Sequence, residues 1–399
     1  MRPVLSVEEY LDELLGLVEP LPGESCRLDA ALGRTLATPV ASRGAVPAFD
    51  NSAMDGFAVR DDDLRPGAVL REVAEVAAGS GADPRFGAGE CVRIMTGAPL
   101  PADAETVIPR ELVTELPGGV RIDEVPVRGA HIRRAGEDLA PGQRVLDAGH
   151  LLDPAAIGLV AACGLADVTV SRRPRVAVAA TGDELIAPGG ELGGGQIFES
   201  NGHHLAASLA RDGAEVLRLG VLPDDPVAFA RGLDPARDAD LIVLAGGVSV
   251  GDHDVARIVL TDRAGGQFRH VRMQPGKPQG FARWQGTPVV ALPGNPMSAA
   301  ISYEMFVRAL IGRMAGRPER RWLPAVAAAG WSSPAGRRQL VPVITSVTVA
   351  GQLTVQPTHR RGSASHLVSA LALADSLAMV PEDITEVNPG DRLLVRSLA

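Results

Sequence analysis

The chain has 399 residues, of which 46% are hydrophobic and 22% charged, so it is long enough for about two to four folded domains and too apolar to be disordered. Its net charge of −9, with no basic block in the sequence, argues against nucleic-acid binding. Three widely separated cysteines, Cys26, Cys91 and Cys163, argue against a disulfide framework or a structural zinc site.

The sequence favours a cytoplasmic protein without a membrane partner. Carboxylates such as Glu8 and Glu9 occupy the N-terminal segment, where a signal peptide would be basic and then apolar. The longest uncharged apolar run, around Pro154 to Ala166, is too short to span a bilayer.

Three helices are predicted before the middle of the chain. Residues 6–18 have amphipathic spacing, with Ser6 and Glu9 as a possible capping box. A second helix is predicted over Leu28–Ala37, and a third begins with Pro154 in its first turn.

Short apolar stretches alternate with turn signals between the second and third helices. This texture predicts an inserted β-rich module, residues 48–139. The module interrupts a mostly helical subdomain, which we expect to be discontinuous and to comprise residues 1–47 and 140–172.

The rest of the chain predicts an α/β domain, residues 173–318, followed by a small β-barrel or sandwich, residues 319–399. A long helix is expected after Pro296. The alternation of strands and helices is typical of a mostly parallel sheet, so the fold class is multidomain α/β plus β. The predicted strands of the sheet are Arg175–Ala180, Glu215–Gly220, Leu241–Ala245 and Pro288–Leu292.

Ligands collect outside the carboxyl ends of parallel strands, so the loops there are candidate binding sites. After the first predicted strand, Thr181 and Gly182 could bind phosphate, and Asp183 or Glu184 could hold a cation. These two acids also suit the first turn of a helix, which leaves the alternative of a helix cap.

The loop from Gly246 to Asp254 follows the third predicted strand. Its glycines would let the backbone approach an anion, Ser249 adds a hydroxyl, and Asp254 could hold Mg²⁺ through water. The alternative is an ordinary glycine-rich turn that leads into a helix.

Lys277 is the only lysine among 39 basic residues, and it lies in a Gly/Pro loop. A compact ammonium on a flexible stem suits an anion, although a chance surface lysine is the alternative. No Ser or Thr follows it, so the loop is not a Walker A motif. The stiff turn Pro293-Gly294-Asn295-Pro296 could also present amides to a ligand, or could be only a rigid turn.

The inserted module carries two polar motifs of its own. Asp50 and Asp55 lie within a short turn-rich stretch, and Arg133 and Arg134 precede Glu137-Asp138. Arginines could bind phosphate and acids a cation, but turns before strands and solvated charges explain the same pattern. Adjacent histidines, as at positions 203 and 204, would point in different directions on a helix and do not predict a metal pair.

Taken together and in order, the motifs resemble the molybdopterin molybdenumtransferase family, which includes the bacterial MoeA proteins and the gephyrin E-domain. The motifs are D-N-S-A-M-D-G-F-A, M-T-G-A-P-L-P, I-R-R-A-G-E-D, T-G-D-E-L, G-G-V-S-V-G-D-H-D, P-G-K-P and L-P-G-N-P. They lie between residues 50 and 296, and the resemblance itself runs from the N-terminal helix to the end of the chain. The resemblance implies an elongated homodimer with four subdomains, one of them an α/β domain similar to the molybdopterin adenylyltransferases (MogA-like) and one a C-terminal β-barrel. It also implies a transferase that inserts molybdenum from molybdate into adenylylated molybdopterin with Mg²⁺ and releases AMP.

The resemblance implies a site between the α/β domain of one subunit and the inserted module of the other. Matching motif by motif, the catalytic residues would be Asp55, Asp138, Glu184, Asp254 and Lys277, and Mg²⁺ would lie among Glu184, Asp224 and Asp254. The pterin and nucleotide would contact Thr181, Gly182, Gly247, Ser249, Gly251, Gly276, Pro293, Gly294, Asn295, Ser365 and His366, with Arg361 nearby.

One departure from the family pattern concerns the oxyanion site. Gln274 stands where many members have lysine, so the chain would have one cation fewer. His131 and Glu199 are further, milder departures. Two alternatives remain: an enzyme that adenylylates molybdopterin or acts on another nucleotide, and a scaffold role like that of the gephyrin relative. A molybdopterin adenylyltransferase is a possible partner.

Overall fold

The computed structural model describes residues 4–248, 254–359 and 364–398. The chain forms two compact units. The first unit comprises Met1–Glu24, Gly33–Ala37 and Val170–Ala399, and the second unit comprises Ser25–Leu32 and Thr38–Thr169.

The described helices are short. They are α1 Val7–Leu15, α2 Pro154–Ala162, α3 Asn201–Arg211, α4 Pro226–Gly232, α5 Val255–Ala264, α6 Pro296–Ser302, α7 Arg308–Met314 and α8 Val368–Ala372. A π-helical segment, Tyr303–Val307, joins α6 to α7, so the long helix predicted after Pro296 is confirmed. Within the described ranges, none of the helices has the length and apolar character needed to cross a membrane.

The strands account for most of the remaining regular structure. In chain order they are β1 Val4–Leu5, β2 Gly23–Arg27, β3 Val40–Ala41, β4 Asn51–Ser52, β5 Gly56–Val59, β6 Val69–Val76, β7 Glu90–Ile94, β8 Thr106–Pro109, β9 Val113–Leu116, β10 Gly119–Ile122, β11 Ile132–Arg133, β12 Arg144–Leu146, β13 Asp167–Ser171, β14 Arg175–Thr181, β15 Leu185–Ile186, β16 Ile197–Phe198, β17 Glu215–Leu222, β18 Leu241–Ala245, β19 Gln267–Val271, β20 Met273–Gln274, β21 Pro278–Trp284, β22 Thr287–Leu292, β23 Leu323–Ala327, β24 Trp331–Ser332, β25 Arg338–Val347, β26 Leu353–Pro357, β27 Ser376–Val380, β28 Glu386–Val387 and β29 Arg392–Ser397.

Two of the three predicted early helices are confirmed by their caps. Ser6 Oγ accepts from Glu9 N at 3.1 Å and the Glu9 carboxylate accepts from Ser6 N at 2.7 Å, which closes a capping box on α1. The cap of α2 is Asp153. The helix predicted over Leu28–Ala37 is wrong: only a 3₁₀ turn forms at its start, because Gly33 adopts φ +73°, which ends right-handed helical structure.

The first unit contains a seven-stranded sheet of order β1-β19-β21-β22-β18-β14-β17. The four strands predicted from the sequence, β14, β17, β18 and β22, pair in parallel as expected, and β21 and β19 add antiparallel pairs. The register aligns Thr181 with Leu222 and Ala245 with Leu292. The loops that follow these parallel strands therefore meet at one edge of the sheet.

Both faces of this sheet are covered, because the side chains of β14 and β18 alternate between two hydrophobic clusters. One cluster includes Tyr10 of α1 and Phe306, and the other includes Phe229 of α4 and Leu260 of α5. All five residues of β18 are buried, as expected for a central strand of a parallel sheet. The carboxyl edge of the sheet thus rests on a rigid core.

The C-terminal part of the first unit is a closed five-stranded β-barrel. Its strands follow the order β25-β26-β23-β29-β27, and a pairing between β25 and β27 closes the ring. The predicted barrel is therefore confirmed. Strand β20, which precedes the Lys277 loop, pairs in parallel with β25 and ties that loop to the barrel.

The second unit contains a six-stranded sheet of order β8-β5-β7-β6-β10-β9. Within this sheet the β6–β7 pair is parallel and the other four pairs are antiparallel. Phe57, Val59, Ile108 and Val120 lie in its core. The β-rich module is therefore confirmed, while the four domain boundaries stay a prediction.

Candidate functional site

The loop after β18 packs directly on the end of β14. Gly246 and Gly247 have φ values of +105° and +70°, which favour glycine. A Cβ at Gly246 would lie 2.7 Å from Thr181 Oγ1, and a Cβ at Gly247 would lie 2.5 Å from Ala256 Cβ. Both glycines are therefore required by space as well as by conformation, and Gly247 is the more exposed of the two.

The loops after β14 and β17 are joined by a reciprocal pair of hydrogen bonds. Asp183 N donates to Asp224 Oδ2 at 3.2 Å, and Asp224 N donates to Asp183 Oδ1 at 3.1 Å. The carboxylate of Glu184 folds back over Gly182, where a Cβ would lie 2.8 Å from Glu184 Oε1. Asp183, which the prediction left without a definite role, positions Asp224.

Asp254 stands at the start of α5, next to the glycine loop. Its Oδ2 is buried, yet it finds no hydrogen-bond partner among the described residues. A buried carboxylate oxygen without a partner is costly, so this atom is a candidate ligand for a cation. Ser249 and Gly251, predicted to contact phosphate, lie outside the described residues.

The predicted metal ligands Glu184, Asp224 and Asp254 fit Mg²⁺ only if the substrate and water supply most of the ligands of the ion. In the part of the chain that is described, no three His, Cys, Asp or Glu side chains come together as a metal-binding group. Mg²⁺ usually keeps several waters and is bound through one or two carboxylates plus phosphate oxygens. The unpartnered Asp254 oxygen suits that arrangement.

The loop after β22 lies against the glycine loop. A Cβ at Gly294 would lie 3.5 Å from Gly246 Cα, and Asn201 Nδ2 donates to Gly294 O at 2.7 Å. Asn295 Nδ2 donates to Ser365 Oγ at 3.3 Å, so a segment from the C-terminal part reaches this loop. His366, which follows Ser365 directly, is exposed, whereas Arg361 lies outside the described residues.

The Lys277 loop is anchored on helix α6. Gln279 Nε2 donates to Gly276 O at 2.7 Å and to Ser302 Oγ at 2.6 Å, and both side chains are buried. Gly276 has φ +105°, and a Cβ there would lie 3.0 Å from Ser302 Oγ. The exposed Lys277 is thus held on a fixed loop beside the helix that follows Asn295.

One contact was missed by the sequence reasoning. Arg337 Nη1 donates to Gln274 Oε1 at 3.1 Å, which brings a guanidinium to the start of the Lys277 loop. The only signal in the sequence is a pair of arginines, Arg337-Arg338, just before a predicted strand.

The second unit brings its two polar motifs together. Strands β4 and β11 pair, and Asp50 accepts from Ala135 N and from Arg134 Nη1, both at 2.7 Å. Asp55 Oδ1 accepts from Thr96 N and Thr96 Oγ1, both at 2.7 Å. The backbone hydrogen bond from Thr96 is the main reason why the pKa of Asp55 lies below its ordinary value.

The predicted site residues therefore fall into two groups. Thr181, the glycine loop, Asp224, Asp254 and the Pro293 loop share one edge of the sheet in the first unit. Asp55 and Asp138 are exposed carboxylates of the second unit. Exposure leaves both carboxylates free to contact a ligand.

Family models match nearly the whole chain in three consecutive pieces. Residues 5–164 match the MoeA N-terminal region (domain I and II), residues 177–313 a probable molybdopterin binding domain, and residues 324–398 the MoeA C-terminal region (domain IV). These matches leave only short junctions uncovered, so the likeness extends over the complete architecture.

Full-length relatives give the same result. A protein of Mycobacterium tuberculosis named molybdopterin molybdenumtransferase 2 is 39% identical over 100% of both chains, and a molybdopterin molybdenumtransferase of Haemophilus influenzae is 34% identical over 94% of both. A crystal structure of the molybdopterin biosynthesis moea protein from Pyrococcus horikosii covers 100% of both chains at 28% identity, with a TM-score of 0.83. The chain therefore belongs to the molybdopterin molybdenumtransferase family.

Proposed function

We propose that this enzyme of molybdenum cofactor biosynthesis inserts molybdenum from molybdate into adenylylated molybdopterin, with Mg²⁺-dependent release of AMP. The observation that carries the proposal is the edge of the sheet in the first unit. There Asp254 Oδ2 is buried and has no hydrogen-bond partner among the described residues, and it lies at the end of a loop whose Gly246 and Gly247 leave no room for a side chain. Family membership supplies the reaction class.

The glycine loops bind the phosphates and the pterin. Backbone N–H groups of Gly247 and Gly294 can approach phosphate oxygens closely because neither residue has a side chain. Thr181 Oγ1 adds a hydroxyl at the same edge, and Asn295 and Ser365, already joined by a hydrogen bond, orient the nucleotide from the side of the Pro293 loop.

The charged groups stabilise the negative charge that spreads when the phosphoanhydride is cleaved. Mg²⁺, when bound, neutralises charge on the pyrophosphate oxygens. Asp254 and Glu184 would hold the ion at the pyrophosphate, and Asp224 is positioned at the same edge of the sheet by its hydrogen bonds with Asp183. Lys277 supplies a compact positive charge at the same face.

The remaining acids come from the second unit. Asp55 is kept ionised by its bonds to Thr96, and it orients the reacting groups or a water together with Asp138. We propose that the enzyme is a cytoplasmic homodimer in which these acids reach the site of the partner subunit. A molybdopterin adenylyltransferase would then deliver the substrate.

The test is AMP release from adenylylated molybdopterin, with molybdate and Mg²⁺ present together, each alone, or both absent. Release should need both. Asp254→Asn should abolish AMP release while the folded state persists. Asp262 is an exposed acid on the same helix, and Asp262→Asn should leave AMP release unchanged. Normal release from Asp254→Asn would contradict the assignment. ATP consumption with metal-free molybdopterin would point to an adenylyltransferase instead.

A further inference from the structure

A small cavity of about 30 Å³ lies in the first unit and is rich in arginine. Its lining includes Arg34, Arg172, Arg173 and Arg317, together with the small residues Thr35 and Gly213. Four guanidinium groups around one cavity repel each other unless negative charge lies among them.

This cavity lies at the opposite edge of the sheet from the candidate site. Arg172 and Arg173 come just before β14, whereas Thr181 ends that strand. Seven residues of extended chain span roughly 20 Å. A ligand in the cavity would therefore not touch the glycine loops.

Two of the four arginines are neutralised. Arg172 makes a bidentate pair with Asp240, with nitrogen to oxygen distances of 2.8 and 3.0 Å. Arg34 contacts Glu24 at 2.5 Å. By contrast, among the described residues no carboxylate lies within 4.0 Å of the guanidinium of Arg173 or of Arg317, so two positive charges remain without an ion-pair partner.

Among the residues that the structure describes, the guanidinium of Arg317 is hydrogen-bonded only to neutral oxygens. Nη1 donates to Asp212 O at 2.9 Å, Nε to Thr35 Oγ1 at 3.3 Å and Nη2 to Gly33 O at 3.3 Å. An arginine has five N–H donors, so two remain for a ligand. Gly213 allows this close approach, since a Cβ there would lie 2.8 Å from Nη2.

Asp212, whose backbone oxygen accepts from Arg317, has its carboxylate already bound by other side chains. The carboxylate of Asp212 accepts from Tyr303 Oη at 2.6 Å and pairs with Arg308 at 2.9 Å. Burial is the main reason why the pKa of Arg317 lies below its ordinary value, and the nearby charges of Arg308 and Arg173 act in the same direction. The negative charge of an anion in the cavity would counteract the repulsion from Arg308 and Arg173.

We propose that this arginine cavity binds a tetrahedral oxyanion of the phosphate, sulfate or molybdate class between Arg173 and Arg317. A planar guanidinium matches an oxyanion with paired N–H donors. The cavity has room for about two waters, so it holds part of the anion, and the rest faces solvent beside the exposed Arg173. Phosphate, sulfate, molybdate and AMP share this chemistry.

The test uses the full chain and calorimetric titration with each of these four anions at constant ionic strength, balanced with chloride. We expect saturable binding that Arg173→Gln weakens about tenfold or more, because one charge-assisted contact is lost. Arg173 makes no side-chain hydrogen bond within the described ranges, so this variant should fold, whereas Arg317→Gln also removes structural bonds. Arg231 is exposed and has no ion pair in the described part of the chain, so Arg231→Gln is the matched control and should leave the affinity unchanged.

Comparison of the anions identifies the source of the oxyanion. Equal binding of phosphate, sulfate and molybdate supports a general oxyanion site, and a preference for molybdate or AMP supports a site for that member of the class. Lys277→Ala, which alters the candidate site, should leave the part of the phosphate and sulfate binding that depends on Arg173 unchanged, so the outcome does not depend on the proposed reaction. The absence of saturable binding of all four anions, or an affinity that is the same in Arg173→Gln and the unaltered chain, overturns the proposal.

Discussion

Arg337 donates a hydrogen bond to Gln274, with 3.1 Å between Nη1 and Oε1. The family motif leads us to expect a lysine at position 274, so a positive charge is missing there. The guanidinium of Arg337 lies within hydrogen-bond distance of the Gln274 side chain, at the start of the loop that carries Lys277. The contact thus supplies a cation at a position where the sequence motif suggested a loss.

Gln274→Lys tests how much charge this loop needs. The new lysine adds an ammonium to a loop that already carries Lys277 and lies beside the guanidinium of Arg337. The added charge should strengthen the attraction for molybdate and lower the KM for molybdate roughly two- to fivefold at low ionic strength, with a smaller effect at high salt. AMP release measured against molybdate concentration gives the KM. Gln352→Lys makes the same change of net charge on an exposed turn and should leave the KM unchanged. A KM that is unchanged or raised in Gln274→Lys would show that this position does not act on the oxyanion.

Gly247→Ala separates conformational strain from lack of space in the glycine loop. Gly265 is the control, because it also has a positive φ, +60°, but a Cβ there meets nothing within 4 Å. Gly265→Ala should cost about 1 kcal/mol of unfolding free energy. Gly247→Ala should cost about 1 to 3 kcal/mol more, because its Cβ meets Ala256, and it should slow AMP release at least about tenfold. Equal losses in denaturant unfolding of the two variants would mean that the loop adapts to the methyl group.

Thr96→Val tests the bonds that hold Asp55. Loss of the hydroxyl should raise the pKa of Asp55 toward its ordinary value of 3.8, but only in part, because the backbone N–H of Thr96 remains. In the unaltered chain the lowered pKa gives stability that is present above pH 3.8 and lost as the pH falls through the folded-state pKa.

The measurement for Asp55 is a carboxyl carbon NMR titration. Thr114→Val is the matched control, because Thr114 donates in the same way to Asp123 at 2.6 Å. That variant should move the pKa of Asp123 and leave Asp55 alone. A pKa of Asp55 that does not change in Thr96→Val would show that the hydroxyl bond is not formed in solution.

His204 should make stability depend on pH. It lies next to Ser208, with 3.5 Å between Nε2 and Oγ, while the adjacent His203 turns toward Arg218. Burial is the main reason why the pKa of His204 lies below its ordinary value of 6.5. Between the folded-state pKa and pH 6.5 only the unfolded chain binds the proton, so this stability is complete above pH 6.5 and is lost as the pH falls.

Urea unfolding between pH 5 and pH 8 measures this effect, because that pH range brackets the ordinary pKa of a histidine. His204→Asn should flatten the decline below pH 6.5. The neighbouring exposed His203 provides the control, and His203→Asn should keep the decline. If both variants behave alike, the titrating group is another one.

The sequence alone determined the local elements and the order of the motifs. Strand β18 was predicted with its observed bounds, Leu241–Ala245, because a continuous apolar run between turn signals is a local pattern. The cap at Ser6 was also readable, since its partner Glu9 is three residues away. The composite of loop motifs identified the family for the same reason.

Only the tertiary structure decided which distant residues meet. Arg337 and Gln274 are 63 residues apart, Asp183 and Asp224 are 41 apart, and Arg317 reaches Thr35 across 282. The failed helix at Leu28–Ala37 shows a related limit, because the left-handed backbone of Gly33 interrupts the segment where a helix was predicted. Periodicity and caps act within a few residues, whereas strand order, cavities and ion pairs arise only when burial brings separate parts of the chain together.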